Sequence, residues 1–305
     1  MKVYAKHEKI QTYLKEKNSD LFSVVDTLEE CHYYISGRFS SNDYHENLRG
    51  VIIPYTGHNG IDLDLMREKN LQLYVTPTRS RYVAEKAVSL LLALTGKVIQ
   101  YHNLLLDGKW ADRNGESRIP WNSIQGKTIG LYGYGRIGKI VHEMLKGFGC
   151  DFYTIDRDNE YPNDMNTVKN LTNLVQISDV IIISTPLNDT TISSFDHQKL
   201  NRMKNKFLVN VGRGKIVEEE ALYNSLKNGR LKGYASDVWY NYPSEKEDCL
   251  PSAYPIHEFD NVVLSNHSGG YTYNTNKEVN EDIFNLLKKI SGDDFTDKLE
   301  LDKLL

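Results

Sequence analysis

The sequence predicts an α/β protein whose larger part is built on a doubly wound parallel sheet. Three observations carry that reading. Strand-length apolar runs such as Val180-Ile181-Ile182-Ile183 show no polar alternation, as strands covered on both faces require. Segments with helical spacing of apolar residues lie between several of them. One run leads directly into Gly133-Tyr134-Gly135-Arg136-Ile137-Gly138, and a helix-forming segment follows.

In chain order, the N-terminal part alternates short strands and helices, with strands expected at residues 2–5, 21–25, 32–36, 51–54 and 72–75. From Arg81, the residues Val83, Ala87, Leu90, Leu91, Leu94 and Val98 recur at helical spacing and predict one long helix. A polar stretch over residues 107–122, holding glycine and tryptophan, reads as a covering loop or linker. From Lys127 the pattern is regular, with strands expected at 128–132, 152–155, 180–184, 207–211, 233–236 and 262–265, and helices at 136–147 and 217–228. Six such strands match a doubly wound dinucleotide-binding sheet. A last helix, 276–290, is expected to cross back onto the N-terminal part. The smaller domain is then discontinuous, residues 1–97 with 271–305, and the larger domain spans 98–270.

Bulk properties bound the function. A chain of 305 residues is long enough for two domains. A net charge of −4 with no basic block argues against nucleic acid as a partner. The apolar runs are far shorter than the roughly 20 residues that span a bilayer, and the polar start Met1-Lys2-Val3-Tyr4-Ala5-Lys6-His7 is not that of a secretory signal. Cys31, Cys150 and Cys249 form neither a metal-ligand spacing nor a disulfide framework. A reducing, cytoplasmic location is expected, with no membrane partner and no metal.

The glycine segment has specific physical demands. Gly133 permits the tight turn, Gly135 lets the backbone approach a diphosphate, and Gly138 lets the helix pack closely on the strand. The helix N-terminus then offers free N–H groups and positive dipole potential. Arg136 and Ile137 lie within the same turn. Asp156 closes the next strand, Phe152-Tyr153-Thr154-Ile155, near the expected offset of about 20 residues. Its carboxylate suits ribose hydroxyls and repels a 2′-phosphate, so NAD is the expected cofactor. Arg157 beside it works the other way. The competing interpretation is a glycine-rich turn in an unrelated α/β protein.

Further motifs occur in order. They are Tyr82-Val83-Ala84-Glu85 at the start of the long helix, Gly108-Lys109-Trp110, Val209-Asn210-Val211-Gly212-Arg213-Gly214, Asp237-Val238-Trp239 and Asn266-His267-Ser268-Gly269. Together with the glycine loop they resemble the D-isomer-specific 2-hydroxyacid dehydrogenases over roughly residues 51–271. The first fifty residues match only loosely and are shorter than is usual for that family. The fold expected is two Rossmann-like domains, the smaller a flavodoxin-like substrate domain.

Arg213, Asp237 and His267 each fall at or just beyond the carboxyl end of an expected strand, where open α/β sheets bind ligands. A planar guanidinium at Arg213 can hold a 2-keto acid's carboxylate with two parallel hydrogen bonds. A surface ion pair is the alternative. An imidazole at His267 suits proton donation in ketone reduction and acceptance in alcohol oxidation. A structural loop histidine is the alternative. The resemblance implies that Asp237 contacts the nicotinamide carboxamide, against an N-cap or salt bridge. It also implies that Thr185, Pro186 and Thr191 line the adenine and nicotinamide-ribose side, with Val211 and Gly212 completing the cofactor contacts. Backbone N–H groups at Thr56-Gly57 are implied to hold the substrate carboxylate. His58 and Asn59 are candidates for substrate selection or plain turn residues. Arg38 faces either the substrate or solvent.

One position departs from the family. Its histidine normally pairs with a glutamate five residues after the aspartate and immediately before a proline, whereas this chain has Tyr242 before Pro243. A carboxylate would raise the imidazole pKa; a phenol can orient the ring by hydrogen bond but adds no charge. Three consequences stay open. His267 has a lower pKa than is usual, or Glu245, Glu247 or Asp248 substitutes, or the usual reaction is lost. The formate dehydrogenase subgroup also lacks a carboxylate there. The expected function is NAD-dependent hydride transfer between nicotinamide and a small D-2-hydroxy or 2-keto acid, with Arg213, His267 and Tyr242 as catalytic residues. The resemblance implies a homodimer through the larger domain and its helix 81–105. The alternatives are a formate-type dehydrogenase and an NAD(H)-sensing binding protein.

Overall fold

A computed structural model describes residues 1–55, 57–110, 120–157, 160–244 and 247–301. They form two compact units, Met1–Arg81 with Gly270–Leu305, and Tyr82–Gly269. In chain order the first elements are β1 (Lys2–Ala5), α1 (Glu8–Lys17), β2 (Ser23–Val24), β3 (Tyr33–Ile35), β4 (Gly50–Ile53), α2 (Leu63–Glu68), β5 (Gln72–Val75), α3 (Thr78–Thr95) and α4 (Val98–Leu106). Then come β6 (Thr128–Tyr132), α5 (Arg136–Leu145), β7 (Asp151–Ile155), β8 (Met165–Val168), α6 (Leu171–Ile177), β9 (Val180–Ile183) and α7 (His197–Arg202). The chain closes with β10 (Phe207–Asn210), α8 (Glu219–Lys227), β11 (Gly233–Ser236), β12 (Val262–Leu264) and α9 (Thr275–Ser291).

The first unit holds a parallel sheet in the order β2-β1-β3-β4-β5, the flavodoxin-like arrangement. Successive strand residues face opposite sides. Tyr33, Ile35 and Ile52 pack with Val279, Ile283 and Leu287 of α9. Tyr34, Val51 and Ile53 pack on the other face with Met66 of α2. The strand expected at 21–25 shrinks to Ser23–Val24, since Leu21 is exposed.

The second unit holds a parallel sheet of seven strands, β12-β11-β10-β9-β6-β7-β8. The chain winds outward from β6 to β8, then returns to β9 beside β6. That adjacency is the topological switch point, where ligands bind outside the carboxyl ends. Six strands were expected here. The seventh, β8, is an edge strand whose Asn166 and Thr167 are exposed, so it carries no apolar run. The unit begins at Tyr82 and not at 98, because α3 buries Ala84, Ala87, Leu91 and Leu94 against Ile129, Val180 and Val209. The long helix is also broken. Lys97 adopts φ 54° after Gly96 and opens α4, and Val98, assigned above to the apolar stripe, is exposed. No described helix is long and apolar enough to cross a membrane.

Candidate active site

The second unit gathers its candidates at the carboxyl ends of β6, β7, β9, β10, β11 and β12. Gly133 has φ 109°, and a Cβ there would stand 2.8 Å from the Thr185 nitrogen. A Cβ on Gly138 would stand 2.1 Å from the Gly133 carbonyl oxygen. The loop is therefore folded onto both the helix and the end of β9, and Ser184 Oγ donates to the Gly133 carbonyl at 2.9 Å. Gly135 differs: it caps α5, and nothing lies within 4 Å of its Cβ position. Open space in front of a ten-residue helix N-terminus fits a diphosphate held by backbone N–H groups. Arg136 is exposed there, while the Ile137 side chain packs toward the core and leaves only its backbone to the turn.

Asp156 stands exposed at the end of β7, its N–H donating to the Val168 carbonyl at 2.9 Å. The turn after it is tied down by Tyr161, whose hydroxyl accepts from Arg157 N at 3.0 Å and donates to the Ile155 carbonyl at 3.3 Å. The Tyr161 ring lies 5.7 Å from that of Tyr134 in the glycine loop, and the Tyr134 hydroxyl meets Nδ1 of the buried His142 at 2.8 Å. Aromatic contacts thus join the two loops expected to hold the cofactor.

Thr185 is half-buried and Pro186 exposed at the end of β9. Thr191 is buried, and its hydroxyl donates to the Pro186 carbonyl at 2.7 Å while accepting from Asn188 N at 2.8 Å. Its polar atom is thereby committed to shaping the 186–191 loop. A Cβ on Gly212 would stand 2.7 Å from the Thr185 oxygen, so the β9 and β10 loops pack directly on each other. Val211 is buried and can serve only through its backbone. Asn210, fully buried, accepts from Gly212 N and donates to the Arg213 carbonyl, both at 3.0 Å. Arg213 curls so that Nη1 donates to the Gly212 carbonyl at 2.7 Å.

Asp237 is buried and spends its carboxylate on the loop after β12. Oδ1 accepts from Ser265 Oγ at 2.6 Å and Ser268 N at 3.0 Å, and Oδ2 accepts from Gly269 N at 2.8 Å. Between those anchors His267 holds φ 58°, a left-handed conformation that persists only when its surroundings over-determine it. One carboxylate with three charge-assisted bonds supplies that constraint.

His267 is exposed as a residue, yet partial burial of its ring draws the pKa below the ordinary imidazole value; Asp237 opposes this and Arg213 adds to it. Tyr242 packs on it, ring centroids 5.3 Å apart and tilted by 49°. The phenol oxygen accepts from Trp239 N at 3.0 Å, and burial raises the Tyr242 pKa. The expected phenol–imidazole hydrogen bond is replaced by a ring contact. Among the described residues, the charged groups that bear on the imidazole are Asp237 and Arg213. Glu245 and Thr56 lie outside the described residues. Gly57, in the first unit, follows β4 through Pro54 and Tyr55, and His58 closes a turn onto Ile61 N at 3.0 Å.

Residues 88–269 match the domain described as "D-isomer specific 2-hydroxyacid dehydrogenase, NAD binding domain". The chain belongs to this family. A glyoxylate reductase of Thermofilum pendens is 32% identical over 250 residues, 77% of this chain and 69% of the relative. The NAD-dependent formate dehydrogenase of Staphylococcus aureus, solved in complex with NAD, superposes with a TM-score of 0.73 at 27% identity, covering 96% of each chain. The NADPH-dependent glyoxylate/hydroxypyruvate reductase of Sinorhizobium meliloti, solved with NADP and malonate, gives a TM-score of 0.79 at 22% identity over 98% of this chain and 97% of the other.

For a D-2-hydroxyacid dehydrogenase, three supporting residues escaped the sequence reading. Asn210 and Ser265 each close or follow an apolar strand, and a polar residue there was a usable signal. Tyr161 lies in a loop with no pattern around it, and nothing in the sequence points to it.

Proposed function

We propose that the chain reduces a small 2-keto acid to the D-2-hydroxy acid and runs the reverse oxidation, with NAD as its cofactor. NAD supplies the hydride acceptor or donor when bound in the second unit. The observation that carries the reading is the grouping of Arg213, Tyr242 and His267 at the ends of the strands that also bear the glycine loop. Arg213 holds the substrate carboxylate and draws electron density from the carbonyl. His267 delivers a proton to the carbonyl oxygen in reduction and removes it from the hydroxyl in oxidation. Tyr242 fixes the imidazole plane by packing. Asp237 positions His267 through the loop with three of its acceptor sites, and Oδ2, which accepts one hydrogen bond there, keeps a lone pair for the nicotinamide carboxamide. Thr185, Pro186, Val211 and Gly212 border the cofactor, Thr191 shapes that border, and the backbone at Thr56-Gly57 binds the substrate carboxylate.

Asp156 at the end of β7 supports NAD over NADP. The exposed Val98, Ile99, Leu105 and Leu106 of α4 support a homodimer through the larger unit, since apolar patches of this kind mark interfaces. The free cysteines support a reducing, cytoplasmic location. A second reading, a formate-type dehydrogenase, is favoured by the phenol in place of a carboxylate beside His267, because hydride loss from formate needs no general base. The test is turnover of NADH with glyoxylate, pyruvate, hydroxypyruvate and phenylpyruvate, alongside NAD with formate. Reduction of at least one keto acid supports the first reading, and formate oxidation alone supports the second.

A further inference from the structure

The first unit holds a cavity of about 450 Å³ at the carboxyl ends of β1, β3 and β4. Its charged walls are of one sign. Lys6 follows β1, Lys9 stands on α1, Arg38 follows β3, and Arg79 comes from the first turn of α3; no carboxylate among the described residues lines it. In a chain with net charge −4, four cations lining one cavity form a local field that attracts anions.

The position of Arg79 sharpens this. Its guanidinium lies over the Tyr55 ring, 5.6 Å from the centroid, and its Nε is buried with no hydrogen-bond partner among the described residues. A buried, unsatisfied charged donor is costly and suits an anionic acceptor. Tyr55 is itself held firmly. Its hydroxyl donates to the Gly37 carbonyl at 3.0 Å, and a Cβ on Gly37 would stand 1.8 Å from that hydroxyl. The glycine makes room for the ring that supports Arg79.

We propose that this cavity is an anion subsite, and that the substrate is a 2-keto acid carrying a second anionic group at its far end. The link to the substrate rests on the proposed function. Pro54 and Tyr55 line the cavity, and Thr56-Gly57, assigned above to the substrate's own carboxylate, continue the same segment. Two residues span at most about 7 Å, which keeps Gly57 within that distance of the Tyr55 backbone at the edge of the cavity.

The test compares kcat/KM with NADH for monoanionic keto acids (glyoxylate, pyruvate) against a dicarboxylic one (2-oxoglutarate) and a phosphorylated one (phosphohydroxypyruvate). Wild type, Arg79→Met and Arg79→Lys are used, with calorimetric titration of the full chain by succinate, inorganic phosphate and acetate. The expected result is a wild-type preference for one of the dianions, and a selectivity ratio that falls roughly ten- to a hundredfold in Arg79→Met and is mostly kept in Arg79→Lys. The preferred dianion identifies carboxylate or phosphate. Wild-type turnover that favours monoanions, with a ratio unmoved by Arg79→Met, overturns the proposal and leaves the proposed function standing. No keto acid turnover with Arg79-dependent dianion binding overturns the proposed function and supports the anion subsite. Neither turnover nor binding overturns both.

Discussion

Tyr242 lies against His267 ring to ring, 5.3 Å between centroids, and turns its hydroxyl oxygen to the Trp239 N–H at 3.0 Å. The imidazole therefore has a packing partner where the family has a carboxylate. Its pKa is drawn down mainly by burial, with Arg213 adding to that effect.

The sign of the pH dependence follows. Keto acid reduction needs the protonated imidazole, and a lowered pKa means that proton is lost earlier as pH rises. The reductive kcat/KM is expected to fall as pH rises through the mildly acidic range, below the ordinary imidazole value of about 6.5, while the oxidative direction keeps its base to more acidic pH. Tyr242→Glu places a negative charge beside the ring and is expected to move the reductive limb to higher pH. A profile that does not move in that variant contradicts the account.

Asp237→Asn tests the clamp. An amide keeps one acceptor oxygen and presents an NH₂ group to N–H donors that the carboxylate now satisfies. A loss of about 2 kcal/mol in unfolding free energy is expected, with kcat/KM down roughly tenfold or more as His267 loses its left-handed conformation. Chemical denaturation together with steady-state kinetics reads both. Full stability with full activity would show that the loop holds itself.

The two glycines separate packing from binding. Gly138→Ala drives a methyl into the Gly133 carbonyl and is expected to cost about 1–3 kcal/mol as well as cofactor affinity. Gly135→Ala meets nothing in the protein and is expected to weaken NADH binding at least about tenfold while the melting temperature stays nearly constant. NADH fluorescence titration beside thermal melts distinguishes them.

Much of this was legible in the sequence because buried parallel strands read as continuous apolar runs. The strand β8 was not, since Asn166 and Thr167 on a sheet edge face solvent. Arg213, Tyr242 and His267 were legible as motif positions. What Asp237 does was not, because its partners Ser268 N and Gly269 N become donors only once His267 has taken φ 58°. Arg79 was also hidden. It reaches the Tyr55 ring only through the order of the first sheet, which no local pattern encodes.

Cofactor choice gives a separate prediction. Asp156 repels a 2′-phosphate, so kcat/KM is expected to favour NADH over NADPH by roughly tenfold or more, and Asp156→Ser to shrink that ratio, with Arg157 then available to the phosphate. A ratio indifferent to the substitution would remove Asp156 from the site.

The most direct test of the central claim is NADH-dependent reduction across the keto acid panel by wild type and His267→Gln, with NADH affinity measured on the same samples. The account predicts wild-type turnover of at least one keto acid, a fall of roughly 10²–10⁴ in kcat for the variant, and NADH binding that is nearly retained. Undiminished keto acid reduction by the variant, or a wild type that oxidises formate and reduces no keto acid, would contradict it.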